Sequence, residues 1–208
     1  IISSGNVNNV GADSISAQDE PPIIIAKQIT GISIYLENTV YNYEFENNQK
    51  QFVQYFKPIF EDKEVSLIGY EQSRDYILLK QTGITPHNFA FDVKIAAYLL
   101  NPVSSKYPLD GLAMSYAEID IQNYLKQNGI QEEKAQLNLF ETVQENKDSK
   151  QKQESIISVY VVAKLEQILK EKLIQEESYK LFTDIEMPLV KVLADMQFTG
   201  MKVDKEEL

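Results

Sequence analysis

The chain contains no cysteine, a single histidine and no apolar run long enough to span a bilayer. Without cysteine there are no disulfides and no thiolate zinc sites, which suits a cytoplasmic protein without requiring one. A histidine-based metal site or a Ser-His-Asp triad would have only His87 to use, and that residue sits in a turn beside Pro86. No basic segment followed by an apolar one signals secretion. Positive charge is also short: 20 Lys and Arg stand against 31 Asp and Glu, for a net charge of -11. That is the wrong sign for a module that grips phosphate backbones by itself, because each neutralised phosphate needs a cation. Clustered carboxylates would suit a metal site, although the ordinary place for most acidic side chains is a solvated surface.

What is present is enough to build a core. The 208 residues are 43% hydrophobic, which favours one globular domain with an appendage. The stretch Ser66 to Leu100 organises the rest, reading as strand, helix, strand, helix. Ser66 to Gly69 is a short apolar strand, expected to be covered on both faces because Leu67 and Ile68 are adjacent. Ser73 to Gln81 has helical spacing and stops at Gly83, where a left-handed residue is expected. After a turn at Thr85 to Asn88, Phe89 and Phe91 mark a second strand. Asp92 is placed to cap a helix carrying Ile95, Ala96, Leu99 and Leu100. Strands separated by helices favour an α/β layered core.

Upstream, Ile1 to Pro22 reads as an edge element plus loop. Ile29 to Leu36 alternates as a half-buried strand, with Ile32, Ile34 and Leu36 against Ser33 and Tyr35. Thr39 to Phe45 alternates too, and Glu37-Asn38 between them predicts a hairpin. Asn47 to Glu61 predicts an amphipathic helix with Phe52, Tyr55, Phe56 and Ile59 inward, disturbed near its end by Pro58. Downstream, Asp110 is placed to cap a helix through Tyr116. Glu141 to Glu154 reads as a mobile polar loop, and a long helix is expected from about Ser155 to Glu176. In Leu181 to Leu208, Leu189, Val192, Leu193 and Met196 form a helical stripe expected to pack inward, ended by Gly200. Thr183 with Glu186 resembles a capping box, Pro188 suits a helix starting slightly later, and Asp204 is placed to cap a further helix running past Leu208.

Several of these segments, taken together, resemble the proofreading-type 3'-5' exonuclease domain of bacterial DNA polymerase I, of polymerase family A. IEMPLVKVLADMQFTGMKVD is similar to the joint where that domain passes into the polymerase domain. FDVKIAAYLLNP, YPLDGLAMSY, ITGISIYL and the G-x5-D-x7-G-I pattern from Gly69 to Ile84 resemble other stretches in the same order. The resemblance implies an α/β, ribonuclease-H-like exonuclease fold, a mixed central sheet flanked by helices. It implies an exonuclease-like domain over residues 1-180 and the start of the joint over 181-208.

Active members of that family hold two divalent ions with carboxylates from a D-x-E on the first strand, an aspartate in a second motif and one in a Y-x3-D helix motif. The ions activate a water and stabilise the leaving oxygen of a phosphodiester. By resemblance Asp75 fits the second motif, with Glu71 where an asparagine is expected. The nearest candidate for D-x-E is Ala12-Asp13-Ser14-Ile15, which keeps Asp13 and puts Ile15 at the glutamate. The third motif keeps Tyr160 but has Lys164 at the ligand position, and an ammonium repels a metal ion instead of binding it. The expectation is therefore a vestigial, catalytically silent domain that supports a polymerase domain of the same chain. It would need no cofactor of its own, would meet DNA only through the full polymerase, and would be a monomer away from membranes. The alternative is a residual exonuclease using magnesium or manganese at Asp13, Glu71 and Asp75. A third class, an acidic protein-interaction domain, is disfavoured by the helix signal running past Leu208.

Overall fold

Local pairing and capping build the first half of the molecule. In a computed structural model, which describes residues 2–4, 29–45, 48–127 and 143–200, β1 (Ile2–Ser4), β2 (Ile29–Leu36) and β3 (Thr39–Glu44) form an antiparallel sheet in that order. The expected hairpin is present: Leu36 pairs with Thr39, and Glu37 and Asn38 both have positive φ, the conformation of a tight two-residue turn. The half-buried reading of β2 needs correction. Ser33 is fully buried, and its hydroxyl meets Ser155 Oγ at 2.7 Å on a long helix behind the sheet. Hydroxyls thus line a covered face, which alternation alone cannot distinguish from a wet one.

On the other face lies α1 (Gln49–Phe60), capped by the Asn48 side chain, which accepts the Gln51 N–H at 3.1 Å. Phe52, Phe56 and Phe60 recur every fourth residue, and the rings of Phe52 and Phe56 pack edge-on against Phe45. Tyr55 and Ile59, expected inward, are exposed, because the inward ridge follows the four-residue spacing of the phenylalanines. Pro58 sits near the C-terminal end of a helix that still runs to Phe60.

The central unit folds as expected: β4 (Leu67–Gly69), α2 (Gln72–Gln81), β5 (Phe89–Asp92) and α3 (Val93–Leu100), with β4 and β5 parallel. Ile68 is 42% exposed, however, so β4 is not covered on both faces. Then come α4 (Leu109–Ala117), α5 (Ile121–Gln127) and α6 (Val143–Gln175). Helix α4 begins after Pro108, which places Asp110 inside its first turn and not at the cap. Helix α6 begins well before Ser155 and takes in most of the expected loop. Glu, Gln and Lys are strong helix formers, so a scarcity of apolar residues does not by itself mark a loop. Its Ile157, Val161, Leu165, Leu169 and Leu173 form the spine of the larger core, joined by Val93, Ala96, Leu112 and Phe182.

The chain then turns into one continuous helical run: α7 (Tyr179–Leu181), a π turn (Phe182–Glu186) and α8 (Met187–Thr199). No capping box forms at Thr183 and Glu186, since the helix does not start there. The Met187 N–H reaches back to Phe182 O, and this wider turn precedes Pro188, which has no N–H to donate. Met187, Val190 and Ala194 face inward. Leu189, Val192, Leu193 and Met196, expected inward, are exposed.

The end of α2 yields a test. Gly83 has φ +83, its N–H donates to Lys80 O, and Ile84 N–H donates to Leu79 O, a left-handed stop that buries Ile84 against Leu79. A Cβ at Gly83 would meet nothing within 4 Å, so strain alone opposes substitution. Gly83→Val is expected to lose roughly 1 kcal/mol or more in denaturant melts; an unchanged midpoint would mean that the loop relaxes freely.

Candidate functional site

Asp92 ends β5 and begins α3, as its position in the sequence predicts. Its Oδ1 accepts the N–H groups of Lys94 at 2.8 Å and Ile95 at 3.3 Å, the ordinary N-cap arrangement. Its Oδ2 accepts the N–H of Gln72 at 2.7 Å, so the same carboxylate also caps α2. Helix α2 needs this outside help because the residue before it, Glu71, lies in the left-handed region and provides no side-chain cap. Burial pushes the Asp92 carboxyl upward in pKa, while the backbone N–H groups of Gln72, Lys94 and Ile95 pull it down. Gln72 is buried alongside, donating to Leu67 O at 2.9 Å, and Gly69 leaves the space for it: a Cβ there would stand 2.8 Å from Gln72 Cγ.

The carboxylates singled out by their sequence positions lie around this cap. Glu71 accepts from Lys94 Nζ at 2.6 Å and has Arg74 3.8 Å away. Its left-handed backbone is one that asparagine tolerates better than glutamate. Asp75, in the first turn of α2, is only 6% exposed, not an open helix-end carboxylate. Its Oδ1 has no hydrogen-bond partner, and Arg74 Nη2 stands 3.6 Å off. Desolvation lifts the Asp75 pKa to about 6 against the pull of Arg74. Tyr160 is on α6, edge-on to Tyr35 with ring centres 6.1 Å apart, and Lys164 Nζ lies 5.5 Å from its ring. Asp13 lies outside the described residues. The first strand of the sheet, β1, is Ile-Ser-Ser and carries no carboxylate in its sequence.

These residues do not fit a pair of divalent ions. Of the two placed acids, Glu71 is paired with Lys94 Nζ at 2.6 Å, and Asp75 is buried with Arg74 Nη2 3.6 Å from its Oδ1. Among the described residues no group of three or more His, Cys, Asp or Glu is disposed to hold a metal. Sequence reasoning missed Lys94 and also Asp195, whose Oδ1 accepts from Tyr76 Oη at 2.9 Å and pairs with Lys80 across the contact between α2 and α8. The hydrogen bond from Lys80 holds the Asp195 carboxyl below its usual range, and burial with Asp195 nearby lifts Tyr76 to about 12. No local pattern marks that trio, since its members are far apart in sequence. Beside Asp92 a cavity of about 630 Å³ opens between α2, α3 and α8, with Arg74, Ile77, Ile95, Tyr98 and Gln197 on its walls.

The strand–helix order and the two small sheets, among the described residues, are those of an α/β domain. Residues 25–126 match the family model described as DNA polymerase I, ribonuclease H-like domain. The chain is 31% identical over 162 residues to DNA polymerase I of Borreliella burgdorferi, covering 75% of this chain and 16% of that protein. It is 28% identical over 159 residues to DNA polymerase I of Bacillus subtilis (74% and 16%) and 31% identical over 153 residues to that of Streptococcus pneumoniae (73% and 16%). A Pol1 structure from M. smegmatis, described as a complex with DNA primer-template and dNTP, superimposes with a TM-score of 0.65 at 19% identity, covering 86% of this chain and 27% of that one. These matches support a 3'-5' exonuclease-type, ribonuclease H-like domain of DNA polymerase I. The chain spans about one sixth of the length of these curated relatives.

Asp75 gives the site a pH signature. With its pKa raised in the fold, the native state holds a proton that the unfolded chain has released, so this group lowers stability as pH rises from about 4 through 6. The shift corresponds to about 3 kcal/mol at neutral pH. Asp75→Asn removes the charge and is expected to be more stable than the parent at pH 7, with the gap closing toward pH 4. Parallel stability curves for the two proteins would refute the buried carboxyl.

Proposed function

We propose that this chain is a vestigial exonuclease domain of a DNA polymerase I, catalytically silent, which serves as a scaffold for the polymerase domain of the same polypeptide. Residues 181–208 begin the joint to that domain. The whole protein is a monomeric, cytoplasmic DNA-directed DNA polymerase of replication and repair, and DNA reaches it through the polymerase domain. The observation that carries this reading is the cation on Glu71: Lys94 Nζ at 2.6 Å occupies the charge that a metal ligand would have to offer. Asp75 is supporting, since its carboxyl is buried with Arg74 Nη2 3.6 Å from Oδ1 and does not stand open at a site. Lys164 adds a positive charge at the third motif position. The fold tolerates this loss because Asp92, the phenylalanine cluster and the α6 spine do not depend on a metal.

The test is a nuclease assay on the purified chain. With magnesium or manganese, 3'-recessed and single-stranded DNA is expected to stay as long as in a no-protein control. Metal-dependent release of mononucleotides that disappears in Asp75→Ala would overturn the reading.

A further inference from the structure

We propose that the open edge of β3 is a docking site for an extended, basic segment of another protein, which joins the sheet as a further strand. Phe45 N–H donates to Thr30 O at 2.9 Å, and from there the pairing with β2 runs unbroken to the Glu37-Asn38 turn. In an antiparallel ladder every second residue aims its N–H and C=O at the neighbouring strand. Phe45, Tyr43, Tyr41 and Thr39 therefore bond toward β2, and the N–H and C=O groups of Val40, Asn42 and Glu44 face outward. Among the described residues β3 ends the sheet, so no strand meets them. The strand also lacks what usually guards such an edge: its sequence, TVYNYE, has no lysine and no proline, and its register has no bulge.

The surroundings of the edge define the occupant. On the side of α1, Leu36, Tyr41 and Tyr43 stand 58%, 58% and 41% exposed, and the Tyr43 ring leans on Phe45 with centres 4.7 Å apart. An added strand lays every second side chain beside those two tyrosines, so these side chains are apolar or aromatic. At the Glu44 end of the strand a cavity of about 500 Å³ opens, with Asn42, Glu44, Asn48, Gln51 and Lys152 on its walls. Lys152 Nζ holds Glu44 at 2.9 Å, but the two side chains are 45% and 55% exposed, and open pairs of this kind contribute little. An arginine of the added strand can grip the carboxylate with two N–H groups and take the place of Lys152. Glu37 at the other end of the strand and the net charge of -11 select the same sign of partner. That charge also makes a second copy a poor occupant, because two such chains repel. Neither a metal nor a polymerase domain enters this contact, so it holds whether or not the domain cuts DNA.

The probe is a short peptide, capped at both ends, in which valine alternates with arginine, and the readout is amide hydrogen exchange of the chain by NMR. In the chain alone the N–H groups of Val40, Asn42 and Glu44 are expected to exchange freely, and with millimolar peptide to slow by about tenfold or more. Those of Tyr41 and Tyr43, already bonded to β2, are expected to change little. The counterpart with glutamate in place of arginine is expected to have no effect. Val40→Pro removes one outward N–H and no bond to β2; it is expected to keep the parental melting curve and to bind the arginine peptide about tenfold more weakly. Unslowed exchange of the three amides in the parent would overturn the docking site, as would parental peptide affinity in a folded Val40→Pro. Equal slowing by the glutamate peptide would overturn the basic partner. Slow exchange of the three amides without peptide would show the edge already covered and would also overturn it, sedimentation then telling a second copy from another part of the same chain.

Discussion

The Asp92 carboxylate accepts from three backbone N–H groups on two helices while its own backbone closes a strand. Hydrogen bonds to a charged acceptor are worth roughly 1.5–3 kcal/mol each, and both helix N-termini present the positive end of their dipoles to it. Those contacts offset part of the cost of burying the charge, which still leaves the carboxyl pKa raised. Through them β5, α2 and α3 take up fixed positions, and the rest follows. Helix α2 carries Tyr76 and Lys80 to Asp195 on α8, and α3 lays Val93, Ala96 and Ala97 against the α6 spine.

The same cap decides the character of the acidic cluster around it. Lys94 is fixed by Asp92 through its backbone, and its side chain extends to Glu71. Asp75 follows Asp92 into the interior on the first turn of α2, where water is scarce and Arg74 reaches only part way. Carboxylates that bind metals are presented open and hydrogen-bonded from behind. Here they are turned inward or paired with ammonium groups, an arrangement suited to holding helices together.

Local chemistry was the legible part of the sequence. The strand–helix–strand–helix unit, the Asp92 cap, the Gly83 stop and the Glu37-Asn38 turn each depend on a few neighbouring residues, and each stands in the fold. Facing was less legible. Met187, Val190 and Ala194 make as good a stripe as Leu189, Val192, Leu193 and Met196, and only the elements packed beside α8 choose between them. Ser33 on a covered face and Ile68 on an open one have the same cause. The polar start of α6 is helical despite its low hydrophobicity, because helix propensity and apolar content are separate properties of a segment. In the site, the positions of Glu71, Asp75, Tyr160 and Lys164 could be reached by resemblance. The burial of Asp75 and the reach of Lys94 could not, because both are set by contacts across α2 and α3.

The claim that these carboxylates belong to the fold and not to metal ions is most directly examined by manganese binding, read from the EPR signal of the free hexaaquo ion. Titrated with two equivalents of manganese at neutral pH, the chain is predicted to leave that six-line signal undiminished. Loss of the signal from two equivalents, restored in Asp75→Ala, would contradict it.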